Sequence, residues 1–337
     1  MEPAPLVSAL ILNWNGKDII GPCVDSVLDN SYANVEAIVV DNISTDGSIE
    51  LLNERFGNDK RVRIIVSETN LAPAAAMDIG IKNSLGEYIL ILNNDNRVDK
   101  DCIRNLISAM VGDINLCSPK IMLPSGKMDF SGCLMDRWGY GYGRGYLEEN
   151  RQQYNDQDFF YAGFFMFKKS LVEKTGFFDK DICFGWEDVD FSWRVRLSGN
   201  KIVLVPTAIV YHLGSHTLKR LRTKYFCHYN MRKNRVAGLI KNYGLCNLTR
   251  FLPTLLFFYS LVFLKELIFD RDVHLAFTSV SAVWWNIKKL PLLLKKRRVV
   301  QKYIRSVSDR EILKYMTKKS ILIEYFLKPN FRAILKN

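Results

Sequence analysis

Apolar and polar positions alternate between two periods over the first hundred residues. The runs Leu6–Leu12, Val35–Val40, Val62–Val66 and Glu87–Leu92 are short, mostly apolar and rich in β-branched residues, so they predict buried strands. Between them, Lys17–Leu28, the segment from Ser44-Thr45-Asp46-Gly47 to Phe56, Pro73–Ser84 and Asp99–Met110 carry the wider spacing of amphipathic helices. Strands alternating with helices at this interval predict βαβ units and a mainly parallel sheet. Three of the four strands end in polar clusters, at Asn13–Asn15, Asp41-Asn42 and Asn93–Asn96. Parallel sheets bind ligands beyond the carboxyl ends of their strands, so these clusters mark one candidate edge.

Beyond Asn115 the pattern is less regular. The Gly- and aromatic-rich stretch Met128–Tyr146 predicts a loop or irregular hairpin. Phe159–Phe167 reads as a strand and Glu187–Leu197 as a helix. Lys201–Val205 and Ala208–Tyr211 read as two short strands divided by Pro206. The catalytic part is expected to span residues 1–241. In the tail, residues 242–337, Phe251–Leu264 has 14 residues without a formal charge, short of the roughly 20 that span a bilayer. His274–Leu294 follows, with Trp284-Trp285, and leads into Lys295-Lys296-Arg297-Arg298.

Charge separates the two halves. Residues 211–337 hold 26 Lys and Arg against 6 Asp and Glu, while residues 1–210 hold 21 against 29. Apolar and aromatic stretches beside basic clusters suit an anionic membrane surface better than a solvated nucleic-acid groove, so no nucleic-acid partner is expected. The tail is expected to lie on, or insert shallowly into, the cytoplasmic face of a membrane. The seven cysteines form no C-x-x-C pair and read as reduced thiols of a cytosolic protein. The N-terminus enters a strand-like run directly, so no secretion signal is expected.

Four stretches carry specific chemistry: Val7–Gly16, Val39–Ser48, Leu92-Asn93-Asn94-Asp95, and Gly176-Phe177-Phe178-Asp179 followed by Trp186–Arg194. In order and spacing they resemble family 2 glycosyltransferases of the GT-A fold, nearest to rhamnosyltransferase-like members. The resemblance implies an α/β, Rossmann-like catalytic domain with a mainly parallel central sheet, a nucleotide-diphosphate sugar as donor, and Mg²⁺ or Mn²⁺ as cofactor. It implies that Asp41 holds the nucleotide base, with Asn13, Asn15, Asn70 and Asn94 around the donor. Asn93-Asn94-Asp95 stands where the family carries Asp-x-Asp, so Asp95 would ligate the metal, and His212 matches a histidine that contacts metal or diphosphate. Asn96 departs from the usual small or β-branched residue. Ala72-Pro73 and Asp78 depart from a Gly- and Asn-containing stretch near the donor.

Glu187-Asp188 matches the family's acidic pair. Adjacent helical residues point about 100° apart, so one should face the acceptor; Asp188 is the expected general base and Glu187 the alternative. Asp190 is expected to cap the helix or pair with Arg194. Arg232 and Arg235 either neutralise diphosphate or face lipid headgroups. The expected reaction is inverting transfer to a hydroxyl of a glycan or lipid-linked acceptor. Two other classes fit parts of the pattern. A nucleotidyltransferase normally has a Gly-rich basic loop after its first strand, which Asn13–Lys17 is not; a non-catalytic scaffold with a decayed transferase domain would not need Asp41, Asp95 and Asp188. The sequence does not specify the sugar, the linkage or the oligomeric state.

Overall fold

The computed structural model describes residues 4–146, 148, 159–182, 184–213, 223–321 and 323. Its centre is a nine-stranded sheet built from β1 (Val7–Asn13), β2 (Val35–Asp41), β3 (Val62–Val66), β4 (Tyr88–Asn93), β5 (Asn96–Val98), β6 (Ile114–Met122), β7 (Met128–Phe130), β10 (Met166–Lys168) and β11 (Lys201–His212). The path runs β3-β2-β1-β4-β10-β6-β11-β5, with β7 paired to β6 outside it. β1 to β4 are parallel, and β6 is parallel to β11; β10, β5 and β7 pair antiparallel with their neighbours. This is the mainly parallel α/β sheet that the periodicity predicts.

The helices α1 (Lys17–Leu28), α2 (Ser48–Phe56), α3 (Pro73–Asn83) and α4 (Cys102–Ala109) follow the expected segments within a few residues. Apolar side chains fill both faces of the central strands, because helices or loops cover each face: Val7, Ala9, Ile11 and Leu90 pack with α1 and α4, and Leu10, Ile38 and Ile89 with α3. Leu10 is so close to α3 that a Cβ on Gly80 would lie 2.0 Å from it.

Two segments differ from the sequence reading. Lys201–His212 is one strand, not two; the register against β6 slips between Val205 and Ile209, so a bulge absorbs Pro206, which has no N–H to donate. Within 159–167 only Met166 and Phe167 join the sheet. The Gly-rich stretch forms a hairpin of β8 (Cys133–Met135) and β9 (Gly141–Gly143), one of the two forms expected of it.

The remaining helices are α5 (Lys169–Thr175), α6 (Glu187–Leu197), α7 (Lys224–Asn242), α8 (Leu245–Ile268), α9 (Val273–Lys288) and α10 (Leu290–Val299), then a π-turn at Val300–Ile304 and a short turn of helix at Asp309–Ile312. α8 has 24 residues, longer than its charge-free stretch, because Lys265 and Glu266 continue it; by length and composition it could cross a membrane. Its buried residues Phe251, Leu255, Tyr259, Val262 and Glu266 recur on one face, as in a helix lying along a protein surface. Phe251, Leu255 and Tyr259 share a core with Trp186 and Trp193 of the α6 region and with Val236 and Leu239 of α7.

Buried ion pairs join these layers. Asp190 accepts Arg194 Nε at 3.0 Å, as the sequence predicts, and also Lys241 Nζ at 2.8 Å and Asn242 Nδ2 at 2.9 Å. Lys241 also pairs with Asp179 at 2.7 Å, and Lys296 joins Asp179 and Asp181. Burial alone would raise Asp190; Lys241 and Arg194 outweigh it and hold the carboxyl below its usual range.

Two expectations for the basic residues are corrected here. Arg232 binds Glu266 through both nitrogens (2.6 and 3.1 Å), together with Thr278 and Ser279, and Arg235 lies over the Tyr140 ring with Nε on Gly139 O. Both are buried, so neither faces lipid, and their donors are spent within the protein. In Lys295–Arg298, Lys296 and Arg297 turn inward and only Lys295 and Arg298 are exposed. Asp190→Ala should cost about 3 kcal/mol in urea denaturation, because it removes the buried carboxylate that Arg194 and Lys241 share; a loss under about 1 kcal/mol would show that the network carries little stability.

Candidate functional site

The parallel ladder fixes where the polar clusters fall. Asn13 is opposite Asp41, and Leu12 is opposite Asn93, so three strands end level. Asn13 Nδ2 donates to Asp41 Oδ2 at 2.8 Å, and Asn94 Nδ2 donates to Asn13 Oδ1 at 2.8 Å. A Cβ on Gly16 would sit 2.2 Å from Asn94 Nδ2 and 2.5 Å from Asn13 Oδ1, so this contact needs glycine. Asn15 adopts φ 48°, which Asn tolerates, and its Oδ1 accepts Thr45 N at 2.8 Å.

Asp41 is fully buried. Its Oδ1 accepts Ser44 N at 2.8 Å; its Oδ2 accepts Asn13 Nδ2 and, at 2.7 Å, Ser44 Oγ. It thus holds the loop after β2 in shape, the turn role that competes with base binding at this position. Asn42 extends the edge to Asn70 and Leu71, with Nδ2 to Asn70 Oδ1 at 3.1 Å and Leu71 N to Asn42 Oδ1 at 2.7 Å. Ala72 and Pro73 start α3, and Asp78 lies 3.7 Å from Lys180.

The chain reverses at Asn93–Asn96, and Asn96 Oδ1 accepts Asn93 N at 2.7 Å. The unusual Asn96 is therefore the side-chain lock of the turn that presents Asp95. β5 then runs antiparallel to β11 and sets His212 opposite Asn96. His212 Nε2 comes 3.3 Å from Asp95 Oδ2, while its Nδ1 lies 2.7 Å from Asp129 Oδ2. Burial disfavours the imidazolium, but hydrogen bonds to Asp129 and Asp95 outweigh it and raise His212 to about 9. Asp95 Oδ1 is buried and has no hydrogen-bond partner among the described residues. A buried carboxylate oxygen left open beside an imidazole is a donor set that fits Mg²⁺ or Mn²⁺. Among the described residues no group of three His, Cys, Asp or Glu could hold a cation, so Asp95 and His212 supply at most two ligands and leave the rest to substrate oxygens or water.

Asp188 opens α6 on the other side of one aromatic layer. Phe164 packs against both the His212 ring (5.6 Å) and Phe130 (5.8 Å), and Gly163 lies between Phe130 and Asp188. A Cβ on Gly163 would lie 2.9 Å from the Phe130 ring and 3.9 Å from Asp188 Oδ2. Burial, then the neighbouring Glu187 charge, push Asp188 up to about 7.

The loop leading to this helix has three successive residues at positive φ: Phe184 (66°), Gly185 (84°) and Trp186 (90°). Two of these carry side chains that rarely adopt it, and α7 holds them there. Asn234 Nδ2 donates to Gly185 O at 2.7 Å, and Trp186 packs onto Gly238, where a Cβ would lie 1.8 Å from the ring.

Asp129 is the site residue that the sequence reading missed. It sits on a three-residue strand with no motif around it, and only the β6–β7 pairing brings it under His212. In the metal-free protein, Asp129→Asn should lower the His212 pKa by one unit or more, read by NMR titration of the ring; an unchanged value would mean that Asp129 does not hold the imidazolium.

Residues 8–176 match the model of glycosyl transferase family 2. An uncharacterized glycosyltransferase of Haemophilus influenzae is 36% identical over 107 residues, 32% of this chain and 43% of that protein. Poly-beta-1,6-N-acetyl-D-glucosamine synthase of Staphylococcus aureus is 26% identical over 216 residues, 63% of this chain and 51% of that one. The chain thus spans about half or less of these curated relatives. Among solved structures, GalNAc-T7 with UDP, GalNAc and Mn²⁺ aligns at TM-score 0.60 and 17% identity over 86% of this chain and 58% of that one. S. aureus TarS 1–349 with UDP-GlcNAc aligns at 0.58 and 14% identity over 96% and 91%. Those likenesses give the GT-A fold, and the matched model covers half of the chain: it belongs to glycosyl transferase family 2.

Proposed function

We propose that the chain is an inverting glycosyltransferase that moves a sugar, rhamnose or another hexose, from a nucleotide-diphosphate donor to a hydroxyl of a glycan or lipid-linked acceptor in cell-surface polysaccharide synthesis. The observation that carries this reading is the pairing of Asp95, one carboxylate oxygen open, with His212, one aromatic layer from Asp188. The polysaccharide context is supported by the synthase relative, and the donor by the sugar nucleotides bound in structures of the same fold.

Asn13, Asn15, Asn70 and Asn94 line the edge where the donor nucleotide lies, with Asp41 shaping its loop. Asp95 and His212 would hold a Mg²⁺ or Mn²⁺ ion, which when bound would offset charge on the diphosphate leaving group. Asp188 accepts the proton of the acceptor hydroxyl while that oxygen attacks the anomeric carbon from the face opposite the nucleotide. The new C–O bond forms as the bond to the diphosphate breaks, and configuration inverts. A base must be ionised to act, and an Asp188 raised to about 7 ionises near neutrality, so Glu187 is the secondary candidate.

We also propose that residues 1–241 form the catalytic unit and that 242–337 hold it on the cytoplasmic face of a membrane. α8 and α9 expose Phe257, Leu261, Phe277, Val280 and Trp284, and Lys288, Lys289, Lys295 and Arg298 stand exposed beyond them. An apolar face bordered by cations suits an anionic lipid surface. The opposite face of α8 is packed on the protein, which supports a helix lying in the membrane plane over one crossing it.

Asp188→Asn should lower turnover at least 10³-fold while leaving nucleotide-sugar affinity within about threefold, and wild-type kcat should fall as pH drops below about 7. Retained turnover, or a flat profile from pH 5 to 8, would place the base elsewhere. Phe257→Ser combined with Trp284→Ser should abolish flotation with phosphatidylserine vesicles; undiminished flotation would remove this face as the anchor.

A further inference from the structure

Six charged groups of alternating sign run inward from α10 to α6. Lys296 lies between Asp181 and Asp179, Lys241 lies between Asp179 and Asp190, and Arg194 ends the row on Asp190. Lys296 Nζ reaches Asp179 Oδ1 and lies 2.5 Å from Asp181 Oδ2; Lys241 Nζ lies 2.7 Å from Asp179 Oδ2 and 2.8 Å from Asp190 Oδ2. We propose that Lys296 is a positioning residue for the base: by holding Asp179 it fixes how Lys241 is shared with Asp190, and so where the first turn of α6 presents Asp188. The inference rests on the glycosyltransferase reading with Asp188 as base. It gives α10 a part in the chemistry besides the membrane role proposed above.

Competition for one ammonium carries the argument. Lys241 is buried, and two carboxylates hold it at nearly equal distances. Each of them has one further cation: Lys296 on Asp179, Arg194 on Asp190. Without Lys296, Asp179 would keep Lys241 alone, and the less neutralised carboxylate would draw the ammonium away from Asp190. Asp190 stands two residues beyond Asp188 in the same helical turn, and its N–H donates to Trp186 O at 2.9 Å. A shift of the Asp190 carboxylate is therefore passed to the backbone that carries Asp188.

The segment before α6 is built into the same row. Asp179 Oδ1 accepts Asp181 N at 3.0 Å and Asp179 O accepts Ile182 N at 2.9 Å, so Lys296 grips a closed turn. At the inner end Arg194 donates to the carbonyls of Thr175, Gly176 and Phe177. Lys296 can be removed without leaving a buried charge alone, because Asp179 keeps Lys241 and the Asp181 side chain is 37% exposed. Its loss thus tests position and spares the fold.

Lys296→Met, Lys296→Arg and, as a control, Lys302→Met at an exposed lysine of the neighbouring π-turn are compared in the full chain. Turnover is nucleotide release to water from whichever of a panel of UDP-, GDP- and dTDP-sugars the wild type consumes fastest; amide hydrogen exchange over residues 188–192 follows the start of α6. Lys296→Met should lower kcat by about tenfold or more, keep affinity for the nucleotide within about threefold, and speed exchange over 188–192. Lys296→Arg, whose fork spans both carboxylates, should recover most of the kcat, and Lys302→Met should match wild type. In an Asp179→Asn background, Lys296→Met should cost less than about twofold, because the competing carboxylate is already gone. Wild-type kcat in Lys296→Met would overturn the proposal, whether or not exchange is faster. So would a loss that Lys296→Arg does not recover, an equal loss in Lys302→Met, or the full loss in the Asp179→Asn background. A wild type that releases nucleotide from no donor would defeat the glycosyltransferase reading instead; exchange alone then decides whether Lys296 holds α6, and unchanged exchange in Lys296→Met would remove that as well.

Discussion

His212 reaches Asp95 because the chain folds Asn96–Val98 antiparallel against the end of β11, and the rest of the site depends on that short ladder. Three residue pairs hold it, with Asn96 locking the turn through the Asn93 amide. A slip of one residue would turn the histidine to the other side of the sheet, since strand side chains alternate. Asp129 fixes the ring from behind. A carboxylate on one imidazole nitrogen decides which nitrogen faces the site, so Asp129 keeps the Nδ1 proton and orients His212, and a metal at Nε2 would displace the second proton.

The acceptor side rests on a different kind of support. Phe184–Trp186 adopt a conformation that costs energy at the two non-glycine positions, and the cost is met by α7, which supplies Asn234 and the open flank of Gly238. α7 is in turn tied to α6 through Lys241 and Asp190, and to α10 through Asp179 and Lys296. α7 thus braces the loop that carries the proposed base, α10 ties into the same network through Lys296, and the outward faces of α8 and α9 are the ones proposed to meet lipid.

The alternation of strands and helices was legible because the parallel strands are buried on both faces and read as unbroken apolar runs. The site edge was legible for the same reason: polar residues directly after such runs have only the carboxyl edge to occupy. Asp95 and His212 could be named one by one, but not their contact, which needs a pairing between segments more than a hundred residues apart. Asp129 left no local signal at all. The basic helices misled because Arg and Lys look the same in sequence whether they face water or a buried carboxylate; Arg232, Arg235 and Lys296 each found a partner that only tertiary packing supplies. Pro206 misled in the opposite direction, since a bulge lets one strand pass through it.

We propose that Asp95 and His212 form a cation site shared with a nucleotide diphosphate, within reach of Asp188. Crystals soaked with Mn²⁺ and UDP test it through anomalous scattering. The claim predicts one Mn²⁺ peak coordinated by Asp95 Oδ1 and His212 Nε2, bridging to the diphosphate, with Asp188 facing the same cleft. A peak bound elsewhere, or UDP held without the ion touching Asp95, would contradict it.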